Sequence, residues 1–362
     1  MSDSRCLVAM SGGVDSSVAA LMLKQQGKDL IGVSMQVWDY RKNGGCESKA
    51  SCCSPRDFED ARLAASRLDI PWYVFDMEKE FQQAVIDRFV TAYSQGLTPN
   101  PCIDCNNLVK FGELRRRAAS LGCSHVATGH YATITDDAAG FHLLRGSDSA
   151  KDQSYFLYGL TQEELSQTLF PLGQMNKSEV RELARQSGLP TADKPESQDI
   201  CFVQGSLQSF LKRQGLQENK GNIIDKAGNK IGEHAGVQNF TVGQRKGLRV
   251  GGSDEPLYVL ELDAAQNLVK IGNKSELERT GFAVEDLSFV SPALLAQLND
   301  TAFPMNFEAV AQVRYRHAGI RVSVSLISPK HARVNFHDSW TAVAPTLPAP
   351  TTVILLTMYQ FE

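Results

Sequence analysis

The sequence predicts an α/β protein with three parts: an N-terminal parallel-sheet domain, a small α+β central domain and a C-terminal β-barrel. Three observations predict it. Apolar runs of strand length alternate with helix-periodic stretches over the first two hundred residues. A glycine-rich turn directly follows the first of those runs. From about residue 283 onward the chain reads as short strands, with strong apolar–polar alternation over 310–315 and 320–326. The expected boundaries are 1–204, 205–282 and 283–362.

The elements follow in order. Cys6–Met10 reads as a buried strand, and Ser16 to Lys24 as a helix. Leu30–Val37 is a second strand. Ser54-Pro55 opens a helix, with serine as N-cap, proline in the first turn and acids near the positive end. Trp72–Phe75 is a third strand, residues 79–93 a helix, and Val126–Thr128 a fourth strand. After residue 205 the pattern changes. Short apolar runs are cut by the turn signal Asp225-Lys226-Ala227-Gly228-Asn229. Residues 310–315 and 320–326 alternate as half-buried strands do.

The chain has 362 residues, 42% of them hydrophobic, which suits two or three domains rather than one. Net charge is −4, so a nucleic-acid site has to be a local patch and not an overall field. Residues 205–250 offer one, with eight Lys and Arg against three Asp and Glu. A plain solvated surface explains that excess equally well. No apolar run has bilayer length, and the N-terminal residues lack the layout of a secretory leader. The expected setting is the cytoplasm, away from membranes, where thiols stay reduced. Eight cysteines there read as packing, metal binding or catalysis.

The segment from Ala9 to Ser17, Ala-Met-Ser-Gly-Gly-Val-Asp-Ser-Ser, joins the first strand to the first helix. Its glycines let the backbone approach a ligand without an intervening Cβ. The helix start adds exposed N–H groups and a positive dipole end. No Gly-Lys-Ser/Thr follows, so this is not a Walker loop. Cys102 and Cys105 fall in the proline-pinned segment Thr98–Asn106, read as a loop before a helix starting near Leu108. Cys201 lies in a second polar segment, Lys194–Phe202. Accessible thiols in polar settings suit nucleophilic attack or sulfur carriage, and two of them can close a transient disulfide. Other readings stay open. Cys6 and Cys123 fit a plain core. Cys46, Cys52 and Cys53 share a segment that could bind zinc, although their spacing fits no standard pattern. Cys102, Cys105 and Cys201 could ligate an iron–sulfur cluster.

The Ser-Gly-Gly-Val-Asp-Ser string resembles the signature of the ATP-pyrophosphatase (PP-loop) enzymes, whose N-terminal domains are adenine nucleotide alpha hydrolase-like. Further strings accompany it in order: Asn100-Pro101-Cys102-Ile103-Asp104-Cys105-Asn106, Thr128-Gly129-His130-Tyr131-Ala132, Lys151-Asp152-Gln153-Ser154-Tyr155, Glu196–Phe202 and Thr241–Leu248. Together they resemble the tRNA-specific 2-thiouridylases, from the N-terminus to about residue 340. The resemblance implies ATP-dependent 2-thiolation of the wobble uridine, position 34, of tRNAs for Lys, Glu and Gln. It implies that Ala9, Met10, Ser11, Gly12, Gly13, Val14, Asp15, Ser16, Met35 and Gly129 bind ATP, with Asp15 helping to place Mg²⁺. It makes Cys105 the nucleophile and Cys201 the persulfide carrier. Asn100, Pro101 and Cys102 would meet the target base, and His130, Lys151, Asp152, Gln153, Arg314 and Tyr315 would touch tRNA. A cysteine desulfurase or sulfur-relay protein would supply the sulfur. The chain departs from the family after Ala344, where a proline-rich stretch puts Leu347 in place of a glutamine that contacts tRNA. A PP-loop amidating ligase would need the same turn without the cysteine pair. A non-catalytic tRNA- or iron–sulfur-binding protein is the other rival.

Overall fold

The computed structural model describes residues 5–38, 54–196, 200–203, 205–248, 250–251, 255–300, 302–315 and 317–341. The Cys46/Cys52/Cys53 segment, Ser197–Asp199, Arg249 and the proline-rich tail with Leu347 lie outside them. The chain divides into two compact units. One comprises residues 1–86, 101–204 and 289–297; the other comprises 87–100, 205–288 and 298–362.

The first unit holds a parallel sheet of β1 (Arg5–Ala9), β2 (Leu30–Gln36), β3 (Trp72–Asp76), β4 (Cys123–Ala127) and β7 (Thr168–Leu169), in the order β3-β2-β1-β4-β7. An antiparallel hairpin, β5 (Ala132–Asp137) and β6 (Gly140–Arg145), follows β4. The sheet reverses direction of growth between β1 and β4. At such a reversal the connections leave in opposite directions and open a crevice at the carboxyl edge, the usual ligand position in α/β sheets. β1 is apolar throughout its centre because both faces are covered; Cys6, Leu7 and Val8 are at most 1% exposed. Helix α1 (Val14–Gln25) packs Val18, Ala19 and Leu23 into that core with Val180 and Ala184 of the helix Lys177–Gln186.

Helix α2 (Pro55–Arg67) starts as its sequence signals say. Ser54 Oγ accepts from the Asp57 N–H at 3.2 Å, and the Ser54 N–H donates to Asp57 Oδ2 at 3.1 Å. The helix expected over residues 79–93 is present but not uniform. Glu78–Phe81 and Asp87–Ser94 are α-helical, and Gln82–Ile86 between them is wound as π-helix.

Two expectations need correction. The helix expected near Leu108 begins at Pro101: Pro101–Asp104 is one α-turn, and Cys105–Glu113 continues it as π-helix. Proline's fixed φ and missing N–H suit a first helical position, so Pro101 starts the helix instead of pinning a loop. The strand expected over 310–315 ends at Ala311, because the Arg314 carbonyl accepts the His317 N–H at 3.0 Å and turns the chain. The alternation ran on in sequence because Val313 is buried within that connection.

The second unit holds two sheets. β8 (Gly221–Ile224), β9 (Lys230–His234), β10 (Tyr258–Asp263) and β11 (Leu268–Gly272) pair as β10-β11-β8-β9 around Ile223, Val237, Phe240, Val259 and Val269. The expected 225–229 turn joins β8 to β9. β12 (Glu278–Val284), β13 (Met305–Ala311), β14 (Ile320–Ser328) and β15 (His331–Thr341) form an antiparallel sheet in the order β12-β15-β14-β13. In β14, Val322, Val324 and Leu326 are fully buried and the residues between them are not, which is the expected period of two.

Removing the Ser54 cap should cost about 1 kcal/mol. Ser54→Ala is expected to lower the urea midpoint accordingly, with Ser54→Thr recovering most of it. An unchanged midpoint in Ser54→Ala would mean that the cap does not stabilise α2.

Candidate active site

The turn between β1 and α1 is shaped by exclusion of side chains. Gly12 has φ +73°, and a Cβ there would collide with the Asp57 carbonyl oxygen. Gly13 is the N-cap of α1 and offers no side chain to its first amides. Ser16 and Ser17 turn their hydroxyls back onto the Gly13 carbonyl at 3.1 and 2.9 Å. Ser11 is exposed; its N–H donates to Ser16 Oγ at 3.2 Å. Met10 and Val14 are buried on either side of the turn, and Ala9 ends β1. Met35 lies near the carboxyl end of the neighbouring β2, half-buried on the same sheet edge. Gly129, just after β4, sits against the first turn of α1: its Cβ would be 2.7 Å from both the Asp15 carbonyl carbon and the Ser16 nitrogen. The glycine-rich turn and the exit of β4 therefore meet at the strand-order reversal.

Asp15 is the acid of that first turn. Both its oxygens accept from Lys177 Nζ, at 2.8 and 2.7 Å, and Oδ1 also accepts from the Tyr131 hydroxyl at 2.7 Å. Lys177 begins the helix Lys177–Gln186, so two helix N-termini converge here. Lys177 Nζ also lies 3.0 Å from Glu196, whose other oxygen takes Lys151 Nζ at 2.6 Å. Burial works against the Glu196 charge, but the hydrogen bonds from Lys151 and Lys177 outweigh it and hold the carboxyl down at about 2. Burial, reinforced by the Asp15 charge, drives the Tyr131 phenol far upward, so it remains a donor.

The Lys151-Asp152-Gln153 segment is tied into the same wall. Asp152 accepts from the Gly146 and Ser154 N–H groups at 3.0 and 3.1 Å, and Gln153 Oε1 accepts from the Tyr131 N–H at 3.0 Å. His130 is 8% exposed, packed against Phe111 and Phe170 and bonded through Nδ1 to Thr128 Oγ1 at 2.7 Å. Burial, with Lys110 adding repulsion, lowers its pKa well below the usual value, so the ring is neutral at physiological pH.

The five described cysteines divide by environment. Cys6 and Cys123 are buried, and burial pushes the Cys6 thiol up to about 12. Cys102 is exposed, while Cys105 and Cys201 are half-buried. Pro101 is buried at the start of the helix that carries Cys102 and Cys105. That helix packs against Glu78–Phe81 and Gln82–Ile86. Phe202, next to Cys201, meets the Phe81 ring edge-on at 5.7 Å and lies 6.4 Å from the Trp38 ring. Both cysteine-bearing segments thus lean on one helix. No three His, Cys, Asp or Glu side chains among the described residues are grouped to hold a metal ion. Asn100, Arg314 and Tyr315 belong to the second unit, and the latter two lie beyond the end of β13.

Against known proteins, the family model described as tRNA methyl transferase HUP domain matches residues 4–205, and that of the tRNA methyl transferase PRC-barrel domain matches 208–273. A tRNA-specific 2-thiouridylase MnmA from Geobacter metallireducens is 46% identical over 94% of this chain and 91% of its own. The chain belongs to the tRNA-specific 2-thiouridylase family. Members from Leptospira interrogans and Carboxydothermus hydrogenoformans are each 44% identical, over 90% and 94% of this chain and 85% and 92% of theirs. A solved 4-thiouridine synthetase–RNA complex with bound ATP matches at 17% identity over 55% of this chain and 45% of its own, with a TM-score of 0.35, and at that level decides nothing.

Sequence reasoning missed Lys177, Glu196 and Tyr131 as members of this site. Lys177 carried a signal: a cation at a helix N-terminus opposes the macrodipole and calls for a partner. Glu196 and Tyr131 lay inside quoted motifs but were shadowed by Cys201 and His130.

The Glu196 carboxyl is lower in the folded protein than its ordinary 4.5, so its stabilisation is complete above that value and fades as the pH falls toward about 2. The stability gap between the protein and Glu196→Gln, read as urea midpoints across pH, should be constant from neutrality to about 4.5 and then narrow. A gap independent of pH below that point would contradict the double lysine contact.

Proposed function

We propose that the protein is a tRNA-uridine 2-sulfurtransferase that thiolates the wobble uridine of tRNAs for Lys, Glu and Gln in an ATP-dependent reaction. The observation that carries this reading is the family match across both the 4–205 and 208–273 segments in a chain that keeps two partly exposed thiols, Cys105 and Cys201. Residues 1–204 carry the chemistry in this reading, and residues 205–282 and 283–362 hold the tRNA.

The turn suits a phosphate. Its helix α1 begins with no side-chain cap, and the close packing of Gly12 on Asp57 and of Gly129 on the first turn of α1 fixes the turn's shape. Ala9–Ser16, Met35 and Gly129 form the ATP-binding edge. The uridine 2-oxygen attacks the α-phosphorus and pyrophosphate leaves. A poor leaving group has become a phosphate ester oxygen, which departs as AMP. Asp15 would be the side chain that meets the Mg²⁺ brought in with the nucleotide. Metal-held phosphates gain stabilisation as charge moves onto the departing pyrophosphate.

Cys201 carries a persulfide supplied by a cysteine desulfurase or a sulfur-relay protein. The terminal persulfide sulfur bonds to C2 of the activated base as AMP leaves. The Cys105 thiolate then attacks the Cys201 sulfur. The S–S bond breaks, its electron pair leaves sulfur on C2 as the thiocarbonyl, and a Cys105–Cys201 disulfide remains. An external dithiol reduces it for the next cycle. Asn100, Pro101 and Cys102 face the base. In this reading Lys151, Asp152 and Gln153 contact tRNA from the first unit, and Arg314 and Tyr315 contact it from the second, since a flat ring and a guanidinium suit an unpaired base. His130 contributes there as a neutral hydrogen-bonding group, not a charge.

The test is a reaction of purified protein with ATP, Mg²⁺, a cysteine desulfurase with free cysteine as persulfide source, a dithiol and unmodified tRNA for Lys, with digested nucleosides analysed by mass spectrometry. A 2-thiouridine peak that requires ATP and vanishes in Cys105→Ser and Cys201→Ser is expected. Cys102→Asp should keep substantial activity, and its complete loss would reverse the choice of nucleophile. Pyrophosphate release without sulfur in the tRNA would refute sulfur transfer while leaving the ATP site standing.

A further inference from the structure

Ile103 and Asn106, three residues apart on the helix that starts at Pro101, are 6% and 3% exposed. Cys102, Cys105 and Leu108 repeat that spacing on another face: Cys102 is exposed, Cys105 half-buried and Leu108 42% exposed. The helix therefore turns one side into the protein and carries both thiols on an open one. Residues three apart on a helix have Cα atoms about 5 Å apart and Cβ atoms about 5–6 Å apart. A disulfide takes Cα atoms about 4.4–6.8 Å apart with somewhat closer Cβ atoms. A small shift in the first helical turn, where the hydrogen-bond ladder is incomplete, closes that difference. Cys6 and Cys123 are buried. Among the described residues, Cys102 is thus the one accessible thiol beyond the Cys105–Cys201 pair.

We propose that Cys102 is the resolving thiol of the catalytic cycle. This rests on the reading above, in which sulfur transfer ends with a Cys105–Cys201 disulfide. The Cys102 thiolate attacks the Cys105 sulfur. A Cys102–Cys105 bond forms, the Cys105–Cys201 bond breaks, and its electron pair leaves on Cys201, which takes a proton from water. The exchange involves no net oxidation. Cys201 is restored as a thiol, ready for the next persulfide, before any reductant acts. The external dithiol then opens the Cys102–Cys105 bridge: one of its sulfurs attacks Cys102, and the other closes it into its own disulfide. Reduction is thereby moved from two half-buried sulfurs to a pair with an exposed member. In the same reading Cys102 meets the target base, so the exchange follows departure of the tRNA product.

Single-turnover trapping tests this on the full chain. Protein is loaded with persulfide by a cysteine desulfurase and free cysteine and separated from both. It is then mixed with ATP, Mg²⁺ and unmodified tRNA for Lys, without reductant. After an acid quench and thiol alkylation, nucleosides and digested peptides are analysed by mass spectrometry. The expected result is 2-thiouridine in the tRNA, a Cys102–Cys105 bridge within one peptide, and an alkylated Cys201. Cys102→Ser should stop at the Cys105–Cys201 bridge. A neighbouring thiol acts at an effective concentration of about a millimolar, so with roughly 0.1 mM dithiol the ratio of later turnovers to the first should be about tenfold lower in Cys102→Ser than in the parent. A parent that forms 2-thiouridine yet holds only the Cys105–Cys201 bridge would overturn the proposal, as would an equal ratio in the two proteins. Formation of no 2-thiouridine by the parent would refute the sulfur-transfer reading, and the proposal with it.

Discussion

A methyl group on Gly129 would press on the Asp15 carbonyl carbon and the Ser16 nitrogen at 2.7 Å, and one on Gly12 would collide with the Asp57 carbonyl oxygen. These two close backbone approaches hold the first turn of α1 between the exit of β4 and the start of α2. The strand order β2-β1-β4 puts that first turn at the reversal of the sheet. Two residues beyond Gly129, the chain delivers Tyr131 to Asp15. The helix Lys177–Gln186, packed on α1 through Val180 and Ala184, delivers Lys177 to the same carboxylate. A longer side chain at either glycine would separate the walls, and the polar network would have no common centre.

That network combines two carboxylates, Asp15 and Glu196, with two lysines, Lys151 and Lys177, so its formal charges cancel. Cancellation matters because the groups are mostly shielded from water. At about 3 Å and an effective dielectric of 20, one such pair attracts by about 5 kcal/mol, and desolvation takes back a large part of it. The exposed Arg62–Glu59 pair, half open to solvent, contributes little. The half-buried set is therefore a poor source of net stability and a constraint on geometry: removing one member leaves another short of a partner. Each carboxylate of the set has two partners: Asp15 has Lys177 and Tyr131, and Glu196 has Lys151 and Lys177.

Much of the first unit was legible because its signals are local. Strand runs such as Cys6–Met10 are apolar on both faces, and Ser54-Pro55 writes a helix start into adjacent residues. The glycine-rich turn was legible for the same reason. The network was not. Asp15 and Lys177 are far apart in sequence, and nothing in either neighbourhood names the other. The π-wound stretches Gln82–Ile86 and Cys105–Glu113 left no trace either, since widening a helix by one residue per turn leaves its composition unchanged. The end of β13 was misplaced because Val313 is buried outside the ladder, and burial alone produced the alternation that a strand would.

The cysteines show how environment sorts chemically identical groups. Burial pushes Cys6 up to about 12, so at neutral pH it is essentially never a thiolate. Cys105 and Cys201 are half-buried, where Cys6 is fully enclosed. A transfer that passes through a mixed sulfur–sulfur bond demands more than accessible thiols; each sulfur needs a backbone held on a common support, or the exchange is limited by chance encounter. The helix beginning at Glu78 provides the support. Phe202 fixes the chain beside Cys201 onto Phe81, and the helix carrying Cys105 packs along the same element. One residue past Cys201 the chain is anchored by a fully buried ring, while Cys201 itself stays half open.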